Sequence, residues 1–409
     1  MMHRTNGKIG LACAGGVIEG AVYEIGALNA IDEAIEGVHL HELDVYVGVS
    51  SGGMISACLA NGISAEALAR SVVGKAEPSL NVDPNIFFKP AFSEYAQRLL
   101  RLPREVLGTL GRALRQPGDL SLFGLLANLG AAMPAGLFDN APIQQFVARA
   151  FSTGGRTDDF RRLEAMLHIV AMDLDTADIA LFGGPGRDEV PISNAIQAST
   201  ALPGLYCPVE IGGRYYIDGV ARRTVHASVA LNEGATLLFC INPIVPVNIQ
   251  LRQKLDQLRG EGLVHGGLPA VLSQTFRAIV DSRKRTGFKK YAHTHPDADL
   301  ILIEPDYEET RMFFSNIFSF SNRHDVAEMA YQATRQHLLN NASDIEAKLD
   351  RHGLTLNRRV LEETGRTLFG AFDDAPTPDH QTPFFEETDH VLQRLDRMIE
   401  RLSTETAMR

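Results

Sequence analysis

The segment VYVGVSSGGM, residues 45–54, joins the pattern of a buried strand to a serine that lies between glycines. Its β-branched and aromatic residues lead directly into GVSSG, residues 48–52, which has the form GxSxG. Small residues around a serine permit a strained strand-to-helix turn that lifts the hydroxyl clear of the backbone, at the positive end of the next helix. Because so short a pattern also arises by chance, Ser50 is interpreted either as a nucleophile or as part of a structural turn.

Strands and helices are predicted to alternate on both sides of this turn. Residues 8–13 (KIGLAC) indicate a short buried strand, and residues 18–31 place apolar side chains at helical spacing. Residues 45–49 form the second predicted strand, and a second helix is expected to open over residues 54–59. The same rhythm resumes after residue 163. Repetition of this kind is typical of a parallel sheet with helices packed on its faces.

The glycine pair Gly15-Gly16 closes the first strand and opens the first helix. Such a turn leaves backbone N–H groups unpaired and directed at an incoming anion. Neither the P-loop nor the dinucleotide-binding spacing is present. Two neighbouring strands are therefore expected to end in a donor-rich loop and a serine turn, an arrangement suited to a hydrolase. The base must come from elsewhere, and Asp218 in RYYIDGV follows a strand, although an Asp-Gly pair alone is more often an ordinary turn.

Composition limits the function classes. The chain has 409 residues, of which 45% are hydrophobic and 22% are charged, a balance typical of globular proteins. Its net charge of -11 disfavours general binding to nucleic acid. The four cysteines are far apart and lack metal-ligand spacing, so no metal or cofactor is predicted. Without a signal peptide or a run of 18 apolar residues, the sequence predicts a cytoplasmic protein with at most peripheral membrane contact.

Two stretches carry basic residues that could meet an anionic membrane. Residues 85–140 predict a helical, lid-like insertion with a run of arginines near 98–115, interleaved with leucines. A second basic run occupies residues 277–290. An ordinary helix with a solvated basic face is the more common explanation of each run. Contact with anionic lipid headgroups is therefore one interpretation of these stretches, and nucleic-acid binding is the weaker one.

The C-terminal part is expected to extend a main domain of residues 1–340. Residues 341–409 are predicted to be a helical extension with a Pro/Asp-rich linker near residues 373–383. The tail has an apolar stripe at helical spacing, which suits intramolecular packing or a homodimer contact. Too few heptads are present to predict a coiled coil.

Four blocks together resemble the patatin-like phospholipase family of lipid acyl hydrolases. They are LACAGGVIEGAVYEIGAL (11–28), VGVSSGGMISACLA (47–60), AMDLDTADIALFG (171–183) and AIQASTALPGLYCPVEIGGRYYIDGV (195–220). The last block is the most specific, because it combines many fixed positions. The resemblance implies a three-layer α/β/α fold with a mainly parallel central sheet.

The resemblance also implies a site. Ser50 would be the nucleophile and Asp218 the general base of a Ser–Asp dyad, with no histidine required. Backbone amides of Gly15, Gly16 and Val17 would form the oxyanion hole. Gly48 and Gly52 would support the serine turn, and Gly219 would follow the dyad aspartate. His226, which no motif orients, is interpreted as a structural or surface residue.

Two positions depart from the family pattern. Val17 stands where the family usually has a third glycine, although a β-branched side chain resists positive φ. Glu19 stands where the family usually has a basic residue, which would weaken attraction to phosphate-bearing substrates. The sequence therefore predicts a serine lipid acyl hydrolase. The alternatives are a carboxylesterase or acyltransferase acting on neutral or soluble esters, and a non-catalytic lipid-binding protein.

Overall fold

A computed structural model describes residues 7–92, 94–96, 134–223, 225–246, 267–305 and 322–370. The strands in these ranges are β1 Lys8–Cys13, β2 Ile35–Glu36, β3 Val45–Val49, β4 Gly136–Phe138, β5 Met166–Asp173, β6 Ile179–Phe182, β7 Gly204–Tyr206, β8 Val209–Ile211, β9 Arg214–Asp218, β10 Ala235–Ile241, β11 Asp299–Ile303 and β12 Thr355–Leu356. The α-helices are α1 Val17–Ala34, α2 Ser51–Ala60, α3 Ala65–Val72, α4 Ala141–Phe151, α5 Ile192–Ser199, α6 Ala227–Asn232, α7 Gly267–Thr294, α8 Arg323–Asn340, α9 Ala342–Arg351 and α10 Arg358–Glu362.

The central sheet has the order β11-β10-β1-β3-β5-β9-β8, with β6 also paired to β5. The five strands from β11 to β5 run parallel to one another. β6, β8 and β9 form antiparallel pairs at the other end. The mainly parallel sheet predicted from the sequence is therefore confirmed, and the carboxyl ends of β1 and β3 lie side by side.

Helices cover both faces of the sheet. Alternate residues of β1 point to opposite sides, so that Leu11 and Cys13 enter the core beneath α1, whereas Ala12 packs in the core on the side of α6. On the first side α8 lies close against α1, where a Cβ on Gly26 would come within 2.2 Å of the carbonyl oxygen of Ala327. The arrangement is the predicted three-layer α/β/α architecture, and the buried strands account for the near-continuous apolar runs.

The predicted strands agree with the structure in position, but β4 lies within the predicted helical insertion and β12 lies within the predicted helical extension. The second helix begins at Ser51, directly after the serine turn, and not near residue 54. Most of the predicted insertion, including the arginines near 98–115, lies outside the described residues, as do the linker and the C-terminal tail. No helix in the described part of the chain is both long and apolar enough to cross a membrane.

Candidate active site

Ser50 lies in the sharp turn between β3 and α2 and has a φ of 55°. A non-glycine residue with positive φ is strained and persists only where the surrounding structure enforces it. Close packing holds the turn in this conformation. A Cβ on Gly52 would stand 2.2 Å from the carbonyl oxygen of Ala14, and a Cβ on Gly48 would stand 2.4 Å from the carbonyl oxygen of Gly52. The two glycines thus let the turn press against the end of β1.

A second serine holds the turn in place. The backbone N–H of Ser50 donates to Ser199 Oγ at 2.7 Å, and Ser199 Oγ in turn donates to the carbonyl of Val170 at 2.6 Å. Ser199 is fully buried at the end of α5. Sequence patterns did not identify Ser199 as an anchor, although this residue belongs to the AST triplet in the most specific of the four sequence blocks.

The glycine loop between β1 and α1 lies directly against the serine turn. A Cβ on Gly15 would approach Ser50 Cβ to 2.7 Å, so only a glycine fits beside the serine. Gly16 is the N-cap of α1, and Val17 is its first residue. The N–H groups of a first helical turn have no intrahelical acceptor. The first turns of α1 and α2 therefore direct their dipoles towards the same hydroxyl.

Val17 has a φ of 57°, which lies in the left-handed region of backbone conformation. The loop therefore holds Val17 in a conformation that a β-branched side chain resists. For a residue with a Cβ the left-handed region costs about 1–2 kcal/mol. The valine is therefore held in the backbone geometry that a glycine would adopt freely.

The register of the sheet brings Asp218 close to Ser50. Val49 pairs with Val170 on β5, and the next residue of β5, Ala171, pairs with Asp218 on β9. The N–H of Val220 donates to the Asp218 carboxylate at 2.9 Å, and the nearby Ser50 hydroxyl acts on the same carboxyl by lowering its pKa. The two candidate residues, far apart in the sequence, are thus neighbours in the structure.

Burial determines the protonation of this carboxyl. Asp218 is only 2% exposed, and desolvation raises its pKa to about 7, against the smaller opposing effects of the hydrogen bonds from Val220 and Ser50. A carboxylate with a pKa near neutrality is a far better proton acceptor than a free aspartate. The next residue, Gly219, packs tightly against β5, because a Cβ there would stand 2.5 Å from the carbonyl oxygen of Val170.

An apolar cavity opens on one side of Ser50. It encloses about 1190 Å³, including its open mouth, and extends between α1, α2, α3 and α4. Aliphatic side chains such as Ile25, Met54, Leu68 and Val147 line it. A cavity with an apolar lining of this kind suits a hydrocarbon chain.

A second, smaller cavity of about 660 Å³, including its open mouth, also borders Ser50. Its lining includes both Ser50 and Asp218, together with the charged residues Glu19 and Arg277. Val17 lines both cavities and so lies where they join. The candidate dyad is therefore bordered by an apolar space and a charged one.

His226 takes no part in the Ser50–Asp218 pair. It is 2% exposed, so it is a buried structural residue and not a surface one. Its Nε2 lies 3.4 Å from the carbonyl oxygen of Gly219. Desolvation lowers its pKa to about 4, which keeps the ring neutral at physiological pH.

The second basic run, residues 277–290, lies on α7, and part of it is used within the protein. Lys284 is buried between Asp281, at 3.0 Å, and Glu304. Arg283 donates to backbone carbonyls just after the Asp218 turn. The run is thus not a uniformly solvated cationic face, and its contact with a membrane stays a prediction.

Comparison with known proteins gives a family and weak structural similarities. A family model described as patatin-like phospholipase matches residues 11–231, more than half of the chain. Both Ser50 and Asp218 fall within the matched segment.

Three solved structures show similarity at low identity. They are VipD from Legionella pneumophila (10% identity, 84% of this chain and 78% of that one, TM-score 0.27), the type III effector protein ExoU (13%, 85% and 60%, TM-score 0.31) and full-length ExoU from Pseudomonas aeruginosa in complex with SpcU (15%, 84% and 58%, TM-score 0.25). The chain thus spans 60% or less of the two ExoU chains. Similarity at this level does not bear on activity.

Proposed function

The chain belongs to the patatin-like phospholipase family, and from this premise we propose that it is a serine lipid acyl hydrolase that works through a Ser50–Asp218 dyad. Family membership supports lipid hydrolysis in general terms. The observation that supports the dyad is that Ser50 and Asp218 line one cavity beside the glycine loop, with the serine hydroxyl close enough to lower the pKa of the carboxyl.

In the first half-reaction Ser50 Oγ attacks the carbonyl carbon of the ester while Asp218 accepts the hydroxyl proton. The resulting oxyanion lies against the N–H groups of Gly15, Gly16 and Val17. Collapse of the tetrahedral intermediate breaks the ester C–O bond, and Asp218 returns its proton to the departing alcohol. The acyl group is then bound to Ser50 as an ester.

In the second half-reaction a water molecule attacks the acyl-enzyme. Asp218 accepts a proton from this water, the same amides stabilise the second oxyanion, and the proton passes to Ser50 Oγ as the fatty acid leaves. The site returns to its starting state without a histidine. Asp218 can serve both as base and as acid because its pKa of about 7 lies near the working pH.

The apolar cavity supports a lipid substrate. It meets Ser50 directly and is bordered by helices on several sides, so an acyl chain placed there would bring its carbonyl to the hydroxyl. Holding the carbonyl in place contributes to rate by orientation, in addition to the oxyanion donors. Loss of one such donor typically costs about 3–4 kcal/mol in the transition state.

The test is turnover of p-nitrophenyl acyl esters by the wild type, Ser50→Ala and Asp218→Asn. We expect both variants to lose at least about 1000-fold in kcat/KM, because each removes a participant in the proton transfer. Equal rates in the three proteins would refute the dyad. Labelling by a fluorophosphonate, with the modified residue mapped by mass spectrometry, identifies the nucleophile directly.

Two alternatives are distinguished by the same reagents. Glu19 in the charged cavity favours a carboxylesterase or acyltransferase for neutral or soluble esters, which would show no preference for long acyl chains. The strain at Val17 favours a non-catalytic lipid-binding protein, in which folded wild-type protein would fail to react with the fluorophosphonate.

A further inference from the structure

The charged cavity holds two side chains that the dyad chemistry does not use. Glu19 projects from the first turn of α1, and Arg277 projects from α7 on the opposite wall. Ser50 and Asp218 line the same space. A charged pair in the same cavity as a candidate nucleophile is placed to contact the part of a substrate that does not enter the apolar cavity.

Glu19 is an unusual residue for such a position. It is 3% exposed, and neither of its carboxylate oxygens has a hydrogen-bond partner among the described residues. Burial raises its pKa to about 7, and the nearby charge of Arg277 opposes that effect. At neutral pH this carboxyl is therefore protonated in a large fraction of molecules and cancels the arginine charge only in part.

Arg277 is the reachable member of the pair. It is partly exposed at the cavity wall, and its guanidinium donates to the carbonyl of Val245 at 3.3 Å. Desolvation lowers its pKa, and Glu19 opposes that shift. A guanidinium remains charged even so, and its planar array of donors matches the oxygens of phosphate and carboxylate groups.

We propose that Arg277 is a specificity-determining residue that binds an anionic group, phosphate or carboxylate, on the alcohol side of the scissile ester. The inference rests on the proposed function, since it places the acyl chain in the apolar cavity and the alcohol portion in the charged one. Glu19 lines the same cavity, and its charge raises the pKa of Arg277 against the effect of desolvation. Phosphate-bearing lipids thus stay within the substrate range although position 19 is acidic.

The charged cavity thus contains a cation although α1 does not supply one. The basic residue expected at position 19 is replaced by an acid, and a basic residue from a distant part of the chain lines the same cavity. Other cations of α7 have different contacts: Lys284 is paired with Asp281, and Arg285 also binds Asp281 at 2.8 Å. Arg285 therefore offers a matched control on the same helix.

The test compares two esters with the same acyl chain, 1-octanoylglycerol 3-phosphate and 1-octanoylglycerol. We expect Arg277→Gln to lower the ratio of their kcat/KM values by about 10- to 100-fold, the usual worth of a hydrogen-bonded charge. Arg285→Gln should leave the ratio at the wild-type value. O-octanoyl glycolate, compared with ethyl octanoate, reports on a carboxylate in place of the phosphate. An unchanged ratio for both anionic esters in Arg277→Gln overturns the proposal.

An exchange of charges gives a second test. Arg277→Glu should lower the phosphate preference further, and the double variant Glu19→Arg, Arg277→Glu should restore part of it by returning the cation to α1. Thermal melting identifies variants that do not fold. Restoration supports recognition of charge within the cavity, whereas a folded double variant no better than Arg277→Glu counts against it.

Binding without turnover separates this inference from the proposed function. Glycerol 3-phosphate is titrated calorimetrically into Ser50→Ala and into Ser50→Ala with Arg277→Gln, and we expect at least about tenfold weaker binding in the second protein. If wild-type protein hydrolyses no ester but this difference is found, the proposed function fails and the anion site stands. Equal binding, or none to either protein, overturns the anion site whatever the hydrolytic activity.

Discussion

Replacement of Asp218 by asparagine should stabilise the protein at alkaline pH, because the wild-type carboxylate is buried at a cost. The variant keeps the shape of the side chain, and its amide oxygen can still accept from the N–H of Val220. Burial raises the pKa of Asp218 from an ordinary value of 3.8 to about 7. Each pKa unit corresponds to about 1.4 kcal/mol, so this carboxyl alone makes the free energy of unfolding depend on pH by roughly 4 kcal/mol.

The direction follows from which state holds the proton more tightly. Folded Asp218 keeps its proton to a higher pH than the unfolded chain does, so its contribution to stability is complete below pH 3.8 and is lost as the pH rises through about 7. The asparagine side chain of the variant does not titrate. Between pH 5 and pH 8 the stability of the variant should therefore rise relative to the wild type by about 3 kcal/mol.

The measurement is urea denaturation followed by circular dichroism at pH 5 and pH 8, at constant ionic strength. Glu19 and His226 also have shifted pKa values, but they are common to both proteins and cancel in the difference. Ser50→Ala is the control, since it changes a residue next to Asp218 and leaves the titrating carboxyl in place. A difference between variant and wild type that is the same at both pH values would refute the buried-carboxylate reasoning.

Three further outcomes are expected. The kcat/KM for a short neutral ester, followed by pH-stat titration, should rise with pH through about 7 as Asp218 loses its proton, and a profile without a break between pH 6 and pH 8 would contradict its role as base. Gly15→Ala should lower kcat by about 100-fold, because the added Cβ would lie 2.7 Å from Ser50 Cβ and must displace the nucleophile; steady-state kinetics on protein shown to be folded would check this. Ala150→Phe should fill part of the apolar cavity and lower the preference for hexadecanoyl over butanoyl esters by roughly tenfold, whereas an unchanged preference would place the acyl chain elsewhere.

The parts of the fold that the sequence predicts well are those in which local pattern and tertiary role coincide. Buried parallel strands such as β3 and β10 appear as uninterrupted apolar runs, and the turn after β3 is made recognisable by its glycines. The neighbouring positions of Gly15 and Ser50 followed from two consecutive strand–turn–helix units. The proximity of Asp218 did not follow from any local pattern. It was implied only by the family resemblance, because the pairing of β5 with β9 is a long-range property.

The charged cavity lay beyond sequence reasoning for a similar reason. Glu19 stood out as a departure from a pattern, but its interaction with Arg277 joins the first helix to α7, far along the chain. Arg277 was grouped with the other cations of residues 277–290 as one basic run. Helical periodicity separates them, since residues on one helix face in different directions. Only the packing of α7 decides which of these cations enters the cavity.

Val17 connects the two halves of the site. A glycine at this position would adopt the observed φ of 57° without strain, so the valine costs about 1–2 kcal/mol in backbone conformation. What the valine adds is an isopropyl group that lines both the apolar and the charged cavity at the point where Ser50 borders each. Strained residues cluster where the surrounding structure enforces them, as at functional loops, so the conformation of Val17 does not argue against the proposed function.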